Sequence, residues 1–139
     1  MANLIYDSAL EDEARGAIDY DTDTFKIMLV TSSYTPNKGT HTRRSDVTNE
    51  VTGTGYTAGG VTSVCTVAKD TTNHKVTLTF AGVSWANITI TQLRGAVIYK
   101  STGTAANDPL VGYIDFVTDQ TRSNSLLSIA ASVIPKQNS

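Results

Sequence analysis

Three acidic residues at alternate positions form the pattern in this chain that is closest to a metal site. Asp19, Asp21 and Asp23 give a D-x-D-x-D sequence, in which alternate carboxylates can converge on one hard cation such as calcium. A calcium loop also needs a glycine for its turn and a bidentate glutamate at its twelfth position, but this chain has Thr24 and Val30 there. The sequence therefore favours an acidic turn in solvent, and it predicts no metal and no cofactor.

The residues that could supply a nucleophile and a base are few and scattered. Residues 82–86 (GVSWA) resemble a nucleophile elbow, but Ala86 replaces the last glycine, and that motif works on the strand-to-helix turn of an α/β sheet. His41 and His74 are predicted to lie in separate turns or loops, whereas a general base must lie beside its nucleophile. We therefore expect no enzyme, and a hydrolase would require a cleft in which a histidine meets Ser, Asp or Glu.

A glycine-rich segment and the overall charge bear on phosphate and nucleic-acid binding. Residues 53–60 (GTGYTAGG) lack the Lys and Ser or Thr that complete a phosphate-binding loop, and a tight turn that holds Tyr56 against a sheet is favoured. The net charge of -2 gives no basic field for a phosphate backbone, so nucleic acid is not an expected partner.

No window approaches the ~20 apolar residues of a membrane span, and Met1 begins no basic-then-apolar leader. We expect a soluble protein made in the cytosol.

Positive charge is concentrated in one segment. Residues 35–46 contain Lys38, His41, Arg43 and Arg44, lack periodicity and are predicted to form a long exposed loop. Arginines on such a loop can make bidentate contacts with carboxylates of a partner, and ordinary solubility explains the same cluster equally well. Both interpretations stay open.

Five aromatic residues could line a sugar-binding groove, although aromatic residues in strands more often belong to the core. They are Tyr34, Tyr56, Trp85, Tyr99 and Tyr113. Their joint exposure would favour the alternative function, a receptor- or carbohydrate-binding module. Their burial would weaken it.

The remaining sequence predicts an all-β fold. Ser8 and Gly16 are placed to begin and end a short N-terminal helix over 9–15, and a helical turn is predicted over 46–51. Cys65 is predicted to be a buried, inert thiol. Alternation of apolar and polar residues predicts strands over 24–34, 61–69, 75–81, 83–90, 93–100, 110–118 and 125–134.

Two details of the strand pattern can be tested directly. Strands 61–69 and 75–81 should form a hairpin in which Asn73 takes a positive φ, and Pro135 should end the last strand. Seven or eight such strands, with turn residues between them, favour two packed antiparallel sheets in a single β-sandwich domain over 1–139, with a jelly roll as the favoured form.

Three segments, which follow one another along the chain, resemble parts of small structural proteins of tailed bacteriophages. They are YDSALEDEARGAIDYDTDTFKIMLVTSSYTPN from Tyr6, SDVTNEVTGTGYTAGGV from Ser45 and RGAVIYKSTGTAANDPLVGYIDF from Arg94. They cover most of positions 6–116 and look most like the jelly-roll capsid cement, or head decoration, proteins of short-tailed Bordetella phages.

The resemblance implies a virion protein on the outside of the head that pairs into a homodimer and clamps neighbouring subunits of the major capsid protein. No catalytic residue follows from it. In a phage protein, the alternative receptor- or carbohydrate-binding module would belong to a tail fibre. The parts best placed for capsid or dimer contacts are the N-terminal segment and the loops 35–46 and 101–108. The individual candidates are Ala2, Asn3, Leu4, Ile5, Tyr6, Lys38, His41, Arg43, Arg44, Thr102 and Asn107. An edge strand could also pair with a capsid strand or a second copy, but the sequence does not show which strand is at the edge.

Overall fold

The computed structural model describes residues 3–137, which form two antiparallel sheets and one short helix. The elements are β1 (Asn3–Ile5), α1 (Asp7–Ala14), β2 (Phe25–Thr31), β3 (Val61–Thr62), β4 (Cys65–Asp70), β5 (Lys75–Phe80), β6 (Val83–Lys100), β7 (Leu110–Ile129) and β8 (Ser132–Gln137). The larger sheet has the order β1-β7-β6-β2-β3, and the smaller sheet has the order β4-β5-β8. The predicted all-β antiparallel sandwich with a short N-terminal helix is confirmed.

The larger sheet is buried on both faces around β2. Residues of β2 such as Ile27 and Leu29 pack with Phe80 of the smaller sheet in the main core between the sheets. On the opposite face, Met28 and Val30 pack in a second cluster with residues outside the sheets, such as Tyr34. Consecutive apolar residues in β2 make this possible, because successive side chains of a strand point to opposite faces.

The helix begins earlier than its sequence predicts. It starts at Asp7, directly after Tyr6, whose main-chain amide is fixed to the Val111 carbonyl oxygen by strand pairing at 3.2 Å. Ser8 therefore lies inside the first turn, is buried, and its hydroxyl has no hydrogen-bond partner among the described residues. Gly16, with φ of 80°, follows the helix as predicted.

The predicted strands 83–90 and 93–100 are one long strand, and the predicted strand 110–118 continues through 125–129, whereas residues 132–134 of the last predicted strand belong to β8. β6 has 18 residues and β7 has 20, and they form one hairpin whose register shifts at several irregularities. The residues that indicated breaks are absorbed as bulges, where Gln92, Val117 and Asn124 adopt positive φ values of 57°, 72° and 46°. The predicted break between 90 and 93 was therefore wrong.

Conversely, the predicted strand over 61–69 is divided between the two sheets. Ser63 lies at the crossing, where its amide donates to the Phe25 carbonyl at 2.9 Å and its hydroxyl donates to the Ala81 carbonyl at 2.7 Å. The β4–β5 hairpin is confirmed, but the positive φ is at His74, because Asn73 is held by the Asp70 carboxylate.

Two further predictions differ from the structure. A 3₁₀ turn covers Arg44–Asp46, and in place of the predicted helical turn over 46–51 the amide of Val51 donates to the Leu29 carbonyl at 3.0 Å. Pro135 lies within β8 and does not end it, since an edge strand tolerates a missing amide hydrogen on its free side. Cys65 is buried as predicted, and burial raises the pKa of its thiol to about 11.

Candidate docking surface

The loops 35–46 and 101–108 meet each other and the start of α1. The amide of Asp7 donates to the carbonyl of Lys38 at 2.9 Å, and the amide of Arg44 donates to the carbonyl of Asp108 at 2.9 Å. We call this surface, formed by the start of α1 and the two loops, the loop face. It joins three parts of the chain that are far apart in sequence.

The two arginines of the loop face bind carboxylates within the chain. Arg43 Nη1 lies 2.8 Å from Asp12 Oδ2, and Arg44 Nε lies 2.8 Å from Asp108 Oδ2. The exposed fractions of the two carboxylate side chains are only 7% and 0%. The prediction of arginines free to bind a partner on a mobile loop therefore needs correction, because both guanidinium groups anchor the loop to the rest of the protein.

Asp108 connects the two loops. Its carboxylate accepts hydrogen bonds from the amide and the hydroxyl of Thr102, both at 2.6 Å, as well as from Arg44. Burial alone would raise its pKa, but these hydrogen bonds and the positive charge of Arg44 outweigh burial and hold the pKa below its usual range. Asp108 is therefore charged at neutral pH, and the hydroxyl of Thr102 serves to hold the loop.

A second carboxylate orders the loop 35–46 from within. Asp46 accepts hydrogen bonds from the amides of Thr42 and Arg43 at 2.9 and 3.1 Å. These two backbone hydrogen bonds lower its pKa. The loop is thus an ordered segment with defined internal contacts.

His41 is tied to the buried N-terminal segment. Its Nδ1 accepts a hydrogen bond from the amide of Asn37 at 3.2 Å and lies 2.9 Å from the hydroxyl of Tyr34. That hydroxyl lies 2.8 Å from the hydroxyl of Tyr6, whose exposed fraction is 0%. Tyr6 is therefore a core residue, and its nomination as a surface contact was wrong.

The other contact candidates divide by exposure. Lys38, Thr102 and Asn107 are exposed, whereas Leu4, Ile5, His41, Arg43 and Arg44 are partly buried. Ala2 lies outside the described residues, and only the main chain of Asn3 is described. On the loop face, Lys38 and Asn107 are the candidates whose side chains are most available to a partner.

The five aromatic residues do not form a groove. Tyr34, Trp85, Tyr99 and Tyr113 have exposed fractions of 3%, 6%, 1% and 6%, and Tyr56 is half-buried against Trp85. The proposed sugar-binding groove was therefore wrong, and the core interpretation is confirmed. The alternative of a carbohydrate-binding module loses the feature on which it depended.

The glycine-rich segment is a structural turn. The Glu50 carboxylate accepts hydrogen bonds from the hydroxyl of Tyr56 at 2.5 Å and from the amide of Gly59 at 2.7 Å. The Tyr56 oxygen in turn accepts the amide hydrogen of Leu29 at 3.0 Å. This arrangement holds Tyr56 against β2, as the sequence predicted.

The remaining candidate sites use their polar groups locally. Asp19 accepts the amide of Asp21 at 3.0 Å, and Asp23 accepts the amide of Asp19 at 2.7 Å, which is the predicted acidic turn. Over residues 3–137, no three His, Cys, Asp or Glu side chains form a group that could hold a metal ion. His74 is exposed in its hairpin turn.

Sequence reasoning missed Asp12 and Asp108, the two carboxylates that fix the loop face. Their arginine partners are 31 and 64 residues away in the sequence, so no local pattern marks the pairs.

Of the helical segments in the described part of the chain, none is long and apolar enough to cross a membrane. Comparison of the chain with protein-family models, curated proteins and solved structures found no match.

Proposed function

We propose that this protein is a capsid cement protein, which binds the outside of a phage head and bridges neighbouring subunits of the major capsid protein. The observation that carries the proposal is the loop face, since the loops named as contact candidates from the sequence lie together on one ordered surface. The resemblance of three ordered segments to phage cement proteins supplies the identity of the partner.

The loop face is suited to binding because it is already ordered. Arg43, Arg44 and Asp46 hold the loop 35–46 through ion pairs and hydrogen bonds, so little conformational freedom remains to be lost on docking. Lys38 and Asn107 stay exposed on this surface. They can supply the polar rim that surrounds a typical protein interface.

Bridging would stabilise a shell through many modest contacts. A stable contact buries about 1,200 Å² or more in total. When one copy, or a pair of copies, contacts two capsid subunits, the second contact is effectively intramolecular and therefore resists separation. The pressure of a packaged genome would then act against many such bridges at once.

The test is cosedimentation of the purified protein with capsids that lack it. A Lys38→Glu/Asn107→Glu double variant changes two exposed side chains of the loop face, and Lys69→Glu makes the same lysine-to-glutamate substitution on β4 of the smaller sheet. We expect saturable binding of the wild-type and Lys69→Glu proteins and about tenfold weaker binding of the double variant, because repulsive rim charges slow association.

Absence of binding by the wild-type protein would reject the cement role. Equal binding by all three proteins would reject the loop face as the docking surface. Circular dichroism and urea unfolding of each variant establish that the fold is intact before binding is compared.

A further inference from the structure

One edge of the larger sheet offers unpaired backbone groups. β1 pairs only with β7 among the described residues, and it is the outermost strand of its sheet. Because the Tyr6 amide donates to the opposite residue, Val111, hydrogen-bonded pairs alternate with non-bonded pairs along β1. This alternation turns the N–H and C=O groups of Asn3 and Ile5 away from β7, toward the free edge.

β1 lacks the proline and the charged residues that protect the edges of the smaller sheet from pairing. β8 contains Pro135 and Lys136, and β4 contains the exposed Lys69. Proline and charge are common means by which edge strands avoid pairing with another chain. β1 has the sequence Asn-Leu-Ile, with no charge and no proline.

An apolar groove runs beside this edge. It has a volume of about 510 Å³ and lies between β1 with the first half of β7 and the segment that leads from β7 into β8. Gly112 lies opposite Ile5 and has no side chain to fill the space between the layers. The walls are formed by Ile98, Ile114, Phe116, Leu127, Ile129 and Ile134, and Ala130 and Ala131 lie at the rim.

The composition of the groove limits what can occupy it. Among the described residues that line it, none carries a charge. A charged side chain in the groove would be desolvated without a partner, which is strongly unfavourable. The volume is within the range of ~300–1,000 Å³ that is typical of ligand sites, so the groove has room for several apolar side chains.

The C-terminal residues of the chain are poor candidates for this position. Gln137 pairs with Lys75 at the hairpin end of the smaller sheet, whereas the β8 residues that line the groove lie at 132–134. Asn138 and Ser139, which follow, are polar. The apolar groove matches neither of these two side chains.

We propose that the free edge of β1 and the adjacent groove bind an extended, uncharged segment of another polypeptide. The segment adds to β1 as a new antiparallel strand, bonds the free backbone groups of Asn3 and Ile5, and places alternate apolar side chains in the groove. Strand addition gives affinity through the backbone, and the groove gives specificity through alternate side chains. This site is separate from the loop face and does not depend on the proposed function, but a cement protein would gain from it a second point of attachment.

The probe is a displayed library of random nine-residue peptides, panned on the wild-type protein and two variants. Ala131→Glu places a charge at the exposed rim of the groove, and Val64→Glu places the same charge on a residue that is 66% exposed and does not line the groove. We expect peptides with alternating apolar residues and no charge to bind the wild-type and Val64→Glu proteins, and to bind Ala131→Glu about tenfold or more weakly.

Backbone pairing is tested with the same enriched peptide after N-methylation of alternate amides. The methylated peptide keeps every side chain but loses donors that a strand needs, so we expect its binding to be lost. Hydrogen exchange at Asn3 and Ile5 should slow in the complex with the unmethylated peptide.

Three results would overturn the proposal. Failure to enrich any peptide on the wild-type protein would show that the edge receives no strand. Equal binding of the methylated peptide would make the groove a simple apolar pocket. The edge would be assigned to a second copy of this chain if no peptide bound and sedimentation equilibrium showed a concentration-dependent dimer that Ala131→Glu abolished.

Capsid cosedimentation of Ala131→Glu, measured in parallel, separates failure of this site from failure of the loop face.

Discussion

The Arg44–Asp108 pair is the contact on which the loop face depends most at the scale of single residues. Replacing Arg44 with Met keeps an unbranched side chain but removes the guanidinium that lies over the Tyr99 ring, and it leaves the buried Asp108 carboxylate without its cation. Breaking a fully buried pair costs about 3–5 kcal/mol, and because 24% of the Arg44 side chain is exposed we expect about 2 kcal/mol. Urea unfolding at pH 7 measures this loss.

Lys38→Met is the matched control for that experiment. Lys38 is on the same loop but exposed, so its replacement should change the free energy of unfolding by no more than about 0.5 kcal/mol. Equal effects of the two substitutions would contradict the anchoring role of Arg44. Because both arginines pair with buried carboxylates, an Arg43→Ala/Arg44→Ala double variant should also lose free energy of unfolding.

The lowered pKa of Asp108 gives a prediction for acid pH. Since its pKa is lower in the folded protein than the ~3.9 of an unfolded chain, its contribution to stability is present above that value and is lost as pH falls through the folded pKa. Like that of protonated Asp108, the side chain of the Asp108→Asn variant carries no charge. The difference in free energy of unfolding between the wild type and this variant should therefore shrink as pH falls from 6 to 2, and a constant difference would refute the assignment.

Trp85 tests the core interpretation against the sugar-binding alternative. Its exposed fraction is 6%, and it packs against Tyr56 at a ring-centroid distance of 6.1 Å. Trp85→Ala should lower the free energy of unfolding by ~3–5 kcal/mol. A melting temperature near that of the wild type would instead favour a surface role for the ring.

At the scale of elements, Gly60 fixes the approach of the glycine-rich turn to β2. It has φ of 80°, and a Cβ at this position would overlap the carbonyl oxygen of Ile27. Gly16 also has φ of 80°, but a Cβ there would meet no atom within 4 Å. Both alanine variants carry the ~1–2 kcal/mol cost of a left-handed conformation, and only Gly60→Ala also forces the backbone apart.

We therefore expect Gly60→Ala to lose more free energy of unfolding than Gly16→Ala, with the β2–β3 pairing disturbed. Urea unfolding gives the energies, and hydrogen exchange at Ile27, whose backbone groups face β3, reports the pairing. Equal losses in the two variants would show that the close approach to Ile27 does not constrain the turn.

The elements also show how far local sequence patterns determine this fold. Alternation located most residues of β2 and of β4 to β7, because the apolar faces of these strands must be buried, but it did not predict β1. It did not reveal that β6 and β7 continue through Gln92 and Val117, since a bulge and a turn favour similar residues. Nor did it show that the strand predicted over 61–69 crosses between sheets at Ser63, because that crossing depends on contacts with Phe25 and Ala81.

At the scale of the whole molecule, the sequence named the segments of the candidate surface but not their arrangement. The loops 35–46 and 101–108 were identified from composition alone. Their junction depends on Asp12 and Asp108, which pair with arginines distant in sequence, so only the folded chain brings them together. The groove beside β1 was not predicted, because it results from the relation between two sheets and not from any one segment.

The proposed cement role requires that this protein stabilise a capsid from outside, and heating of bare and decorated shells measures that stabilisation. Capsids that lack the protein would be heated with and without saturating amounts of it, and genome release followed with a DNA-binding dye. We expect saturable binding and release at a higher temperature for decorated shells, with a smaller rise for the Lys38→Glu/Asn107→Glu variant at the same concentration. Release at the same temperature from bare and decorated shells would contradict the cement role.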